Sequence, residues 1–305
     1  MSVTSSSLFG SLAADLAGSN TLIAKLQQQI ASGSRLQQPS DDPVGAAQAV
    51  RLSSAQSAIS SYQASGTDAT RFLGVADSTL GSMDTVLQRV SQLATSAVNG
   101  TANATSDGAL AAEITSLRDQ LVSLANADSG IPGQSLFGGF SATAVAQVGG
   151  TWTYAGDNGA VNRQIDATTA ISVNDYGSGV TGGADLFGFT AGPGNDVFSV
   201  LDQLASAVSA GNTTAINAAQ STLSARSGAI LAARGVVGAQ EARVTSTQSV
   251  LAVVQNDNAA QLSSLQDTDV AQAALQLSQA QTGYQAALSV AARVGSLPSL
   301  ADFLR

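Results

Sequence analysis

The sequence predicts a mainly α protein: a long, coiled-coil-like helical rod built from both chain ends, with a small β-rich domain inserted into it. Three observations predict this. Apolar residues recur at alternating steps of three and four over long stretches of both halves of the chain. Aromatic residues are only 4% and charged residues only 11% of the 305, and the 44% hydrophobic content is carried largely by alanine, which suits thin, closely spaced helix–helix cores. Between about Gly138 and Asp196 the helical rhythm stops, glycines cluster and short β-type runs appear.

Near the N-terminus, Phe9, Leu12, Leu16, Ser19, Ile23, Leu26 and Ile30 keep the three–four rhythm and predict a first helix. The stretch RLQQPSDDPV, residues 35–44, interrupts it. Pro43 suits a first helical turn, where its missing N–H has no partner anyway. Asp42 then falls at the N-cap, with Pro39, Ser40 and Asp41 just before it and the two polar residues near the positive end of a long helix dipole. From Leu52 the seam continues without a slip through Ala55, Ile59, Tyr62, Gly66, Ala69, Leu73, Ala76, Leu80, Met83, Leu87, Val90, Ala94 and Ala97. One helix from about Pro43 to Val98 is predicted, roughly 80 Å long at ~1.5 Å per residue. Gly66 on that seam costs about 1 kcal/mol relative to alanine, and close approach of a neighbouring helix is a reason to keep it.

Asn99-Gly100 ends this helix. Leu110, Ile114, Leu117, Leu121 and Leu124 mark the next one. In the insert, TWTYAG and AISVND read as strands between turns, with Trp152 among them. Val197, Leu201, Leu204 and Val208 return to helical spacing, and Val237, Val244, Leu251, Val254 and Leu265 mark another long helix. The final stripe is Val270, Ala273, Leu277, Ala280, Tyr284, Ala287, Ala291 and Val294. The expected divisions are 1–42, 43–137, 138–196, 197–266 and 267–305.

Composition excludes several kinds of chemistry. The chain has no cysteine and no histidine, which removes disulfides, cysteine–histidine zinc sites and any triad with an imidazole base. Serine-hydrolase signatures are missing as well, so a secreted hydrolase is disfavoured. A metal at Asp41 and Asp42 lacks a third nearby acid, and the cap reading is the stronger one. GPGNDVF, residues 192–198, resembles one copy of a calcium-binding nonapeptide, but such repeats work only in tandem, so a turn into the next helix is expected. No cofactor is predicted. The net charge is −9, with +1 in residues 1–40 and 0 in 226–305, so the deficit lies in the middle. That argues against nucleic acid and fits neutral ends buried against other chains. No run approaches the ~20 apolar residues of a membrane span, and no basic-then-apolar signal peptide opens the chain.

The two terminal stripes are the candidate polymer interface. A two-helix pair alone is marginal, so neighbouring copies are expected to complete its burial, and the ends are expected to be poorly ordered in a free monomer.

KLQQQIASGSRLQQPSDDPVGAAQAVRL, residues 25–52, closely resembles the N-terminal signature of the bacterial flagellin superfamily. Within it, PSDDP resembles the hook-associated protein type 3 family, the hook–filament junction proteins. LFGGF (136–140) and FSVLDQLASAV (198–208) resemble segments on either side of that family's insert. Residues 267–305 resemble the superfamily's C-terminal helix and its short leucine-rich tail. The resemblance implies a structural axial protein of the extracellular flagellum, carried by a cytoplasmic export chaperone to the type III export apparatus. It implies polymerisation with itself through the terminal helices, with the other hook-associated junction protein on one side and flagellin on the other. A filament-forming flagellin is the alternative.

Overall fold

The computed structural model describes residues 2–99, 104–157, 159–174, 176, 183–192 and 194–295; the side chains of residues 2–9, 104, 294 and 295 lie outside that description. The described elements are helices α1 (Ser2–Ser32), α2 (Pro43–Asn99) and α3 (Ala104–Ala125), strands β1 (Val145–Val148), β2 (Thr151–Tyr154), β3 (Asn162–Gln164) and β4 (Ala170–Ser172), then α4 (Val197–Ser209), α5 (Thr213–Gln266) and α6 (Val270–Gly295). The chain divides into two compact units. One comprises residues up to Ala58 with those from Val254, the other Ile59–Val253, so α2 and α5 each contribute to both.

In the Ile59–Val253 unit, the predicted seam of α2 is the core. Ile59, Ala69, Leu73, Ala76, Leu80, Met83, Leu87, Val90 and Ala94 are all buried, together with Ile230, Ala233, Val237 and Val244 of α5. A ladder of polar contacts runs beside them. Arg234 donates to Asp77 in bidentate fashion, Nε to Oδ1 at 2.9 Å and Nη2 to Oδ2 at 3.1 Å. Seven residues along, Ser227 donates to Asp84 at 2.8 Å. Seven further, Gln220 reaches the Ser91 carbonyl and the Thr95 hydroxyl at 3.4 and 3.1 Å. Numbers rise on α2 as they fall on α5, so the helices are antiparallel and the ladder repeats with the heptad. Gly66 is buried on this seam, and a Cβ there would come within 2.7 Å of the Gln248 side-chain amide of α5. That amide is the tip of a long side chain that can turn aside, so the site tolerates glycine without showing a close approach of the two helices.

Helices α3 and α4 pack on one another. Ile114, Leu121 and Ala125 on one, and Leu201, Leu204 and Val208 on the other, are buried. Asp196 caps α4, accepting from the Ser199 amide at 2.8 Å, so the GPGNDVF stretch does lead into a helix by a capped turn, with Pro193 outside the described residues.

The insert is smaller in strand than its sequence suggests. Two separate antiparallel hairpins, β1–β2 and β3–β4, hold strands of only three or four residues. Two-stranded ribbons cannot bury a face of their own, so the insert depends on packing against helices. Trp152 of β2 donates to Asp202 of α4 at 2.8 Å, and Arg118 of α3 bonds the same carboxylate while lying 5.7 Å from the indole centroid. Behind it an aromatic cluster forms. Phe137 meets Tyr176 at 5.1 Å and Phe187 at 5.6 Å, and Phe187 meets Phe198 at 5.5 Å. The Tyr176 hydroxyl donates to the Leu136 carbonyl at 3.0 Å, and complete burial pushes its pKa far above the ordinary tyrosine value. The LFGGF motif sits here. Gly139 has φ +69°, and the Asp157 carboxylate occupies the space a Cβ would need while accepting from the Phe140 amide at 3.0 Å.

Because Leu80 is fully buried at the centre of the α2 seam, Leu80→Ala is expected to destabilise the protein by about 2–5 kcal/mol in denaturant unfolding.

Candidate assembly surface

The unit formed by the chain ends holds all the sequence-predicted site residues. Its centre is the connection between α1 and α2, where the two adjacent acids take different jobs. Asp42 is the N-cap: its Oδ1 accepts from the Gly45 amide at 2.9 Å and its carbonyl from the Ala46 amide at 2.8 Å. Pro43 opens α2 as expected. Asp41, expected beside the helix dipole, instead organises the turn. It accepts from Lys25 Nζ of α1 at 2.8 Å and from the Gln37 and Gln38 amides at 3.2 and 3.1 Å. The Lys25 hydrogen bond, followed by the Gln38 amide, holds its pKa below the ordinary 3.8. Pro39 and Ser40 are exposed, and Ser40 Oγ is 3.5 Å from Gln38 Oε1.

A second connection, between α5 and α6, lies against the first. The Arg35 amide donates to the Gln266 carbonyl at 2.6 Å, its guanidinium to the Leu265 carbonyl at 2.9 Å, and the Thr268 amide to the Gly33 carbonyl at 2.9 Å. Asp269 caps α6, accepting from the Ala271 and Gln272 amides at 3.0 and 3.1 Å. Sequence reasoning overlooked Arg35 and Asp269, although an aspartate immediately before an apolar stripe is a cap signal. Among the described residues no group of three acids is placed to hold a metal ion.

Helices α1 and α6 pack on each other, which places the two terminal stripes face to face within one chain. Leu26 is 4% exposed and Ala273 5%. Leu12, Leu16, Ile23 and Ile30 are half-buried, as are Leu277, Ala280, Tyr284, Ala287 and Ala291. Val270 departs from the expectation, being 50% exposed. It begins α6 beside the end of α1, where the opposing stripe has already stopped at Ile30. The side chains of Phe9 and Val294, and the tail from residue 296, lie outside the described residues. Off the seam, Leu22 of α1 and Leu275, Leu288 and Val290 of α6 are exposed. The three–four rhythm gave no reason to select these four.

Two family models match the chain: the bacterial flagellin N-terminal helical region over residues 10–142, and the bacterial flagellin C-terminal helical region over residues 225–304. Between them they match more than half of it. The flagellar hook-associated protein 3 of Salmonella typhimurium is 34% identical over 154 residues, 50% of this chain and 48% of that protein. The chain thus spans about half the length of this curated relative. Two solved structures share the fold. Flagellar hook-associated protein-3 from Legionella pneumophila has a TM-score of 0.61 at 13% identity, covering 71% of this chain and 98% of that one. FlgL from Xanthomonas campestris has a TM-score of 0.59 at 18% identity, covering 68% and 98%.

Asp42→Ala is expected to lower stability by about 0.5–2 kcal/mol in denaturant melts. Titration calorimetry with calcium or magnesium should give no stoichiometric heat for either protein; binding abolished by the substitution would overturn the cap assignment. Since Leu26 and Ala273 are the fully buried members of the α1–α6 pair among the described residues, amides of both helices should exchange far faster than those of α2 around Leu80 in a verified monomer. Equal protection would contradict this.

Proposed function

The chain belongs to the bacterial flagellin superfamily, and from that premise we propose that it is a structural axial protein joining the flagellar hook to the flagellin filament. On this reading it is not an enzyme. It leaves the cell through the type III export apparatus with the help of a cytoplasmic chaperone, and it assembles outside. It polymerises with itself, meets the other hook-associated junction protein on one side and receives flagellin on the other.

The observation that carries this reading is the terminal helix pair, which leaves apolar side chains uncovered. Leu22, Leu275, Leu288 and Val290 face no buried core. Neutral chain ends allow copies to pack there without charge repulsion. The seams of Leu12, Leu16, Ile23, Leu26 and Ile30 against Ala273, Leu277, Ala280, Tyr284, Ala287 and Ala291 then form the pairing that presents the polymer surface.

A filament-forming flagellin is the second reading, because the terminal regions are common to both. PSDDP, LFGGF and the likeness to hook-associated protein 3 favour the junction.

Deleting the gene is expected to leave complete hooks without filaments, with flagellin released into the medium, as seen by electron microscopy and immunoblotting. Attached filaments and ordinary swimming in the deletion strain would overturn the junction reading.

A further inference from the structure

We infer that Arg35 is a positioning residue: it closes the C-terminus of α5 from 230 positions away and so ties the two chain ends into one joint. An α-helix leaves its last four carbonyls without an intrahelical partner, and a cation is favourable there because that end of the dipole is negative. Helix α5 has no basic residue in its last turn. The Asp267 amide still returns to the Ser263 carbonyl at 2.8 Å, but the next amide, that of Thr268, turns away to Gly33 of the other connection. One residue takes the two outermost carbonyls of α5. Arg35 donates its amide to Gln266 at 2.6 Å and its guanidinium Nη2 to Leu265 at 2.9 Å.

The same residue reaches the other elements of the joint. Its carbonyl accepts from Gln29 Nε2 of α1 at 3.0 Å, and its guanidinium stands 3.8 Å from the Asp42 carboxylate that caps α2. The guanidinium thus lies between the negative end of α5 and a carboxylate at the positive end of α2. Its side chain is 48% exposed, so the ion pair adds little and the capping bonds matter more. Beside it, Ser34 and Asp267 form an antiparallel bridge between the two connections. Without the guanidinium, the last turn of α5 loses its cap and the bridge loses the helix end on which it rests. The α1–α6 pair then still forms, but its placement against the end of α5 and the start of α2 is no longer fixed. The consequence for assembly rests on the axial reading above, because an axial subunit must present its terminal helices at one angle.

Hydrogen exchange in the purified full chain tests the cap. Arg35→Met keeps the apolar stem and removes the donors. Exchange from Leu265 to Gln272 should quicken by at least about tenfold, with exchange around Leu80 and the main melting temperature unchanged. Arg35→Lys, which returns a cation to the helix end, should lie nearer the wild type. A covalent tie supplies the rescue. Ser34 and Asp267 are bridge partners flanked by the two hydrogen bonds that cross the connections, so their Cα atoms lie about 4.5 Å apart, within reach of a disulfide. The chain has no cysteine of its own to interfere. Adding Ser34→Cys and Asp267→Cys to Arg35→Met should restore protection on oxidation and lose it again on reduction. In cells, filament attachment should fall with Arg35→Met and return with the oxidised pair. Unchanged exchange in Arg35→Met overturns the capping role. Wild-type swimming by that variant, despite faster exchange, overturns the positioning role. Failure of the junction reading is seen separately, as filaments on the deletion strain.

Discussion

The register between α2 and α5 is the constraint on which the Ile59–Val253 unit depends. Its seam supplies the energy, at about 1.5–3 kcal/mol for each fully buried leucine or valine. Yet a seam of alanine, leucine and valine repeating every three and four residues is nearly degenerate, since a slip of one heptad meets a similar surface. The polar ladder breaks that degeneracy. Arg234 with Asp77, Ser227 with Asp84, and Gln220 with Ser91 and Thr95 are satisfied together in one register. Each rung is weak, since partly exposed ion pairs contribute about 0–1 kcal/mol. Energy and specificity therefore reside in different residues.

The chain-end unit follows a different logic. Both long helices break, and the two breaks are stitched together by the amides of Arg35 and Thr268. Asp42 and Asp269 restart α2 and α6 by the same device, a carboxylate accepting from first-turn amides. The helices beyond the breaks pair thinly, with most seam side chains half-buried.

The insert owes little to its strands. Its stability comes from aromatic rings on a helical base and from one carboxylate, Asp202, shared by Trp152 and Arg118. The LFGGF motif gains a physical reason there. Phe137 joins the ring cluster, and Gly139 makes room for Asp157, which holds the following amide.

The helices were legible in the sequence because helical periodicity is a local signal. The phase of the α2 seam from Ile59 to Ala97, the cap at Asp42 and the terminal stripes all follow from spacing and side-chain chemistry within a few residues, whereas Ala55, placed on the same seam by its spacing, is exposed. Tertiary structure decided what spacing cannot encode. It set which helix each stripe meets, so that the terminal seams face one another and Leu22, Leu275, Leu288 and Val290 are left exposed. It gave Asp41 to Lys25, sixteen residues away, and Asp77 to Arg234. Such partners are chosen by three-dimensional proximity, and no period along the chain carries that information.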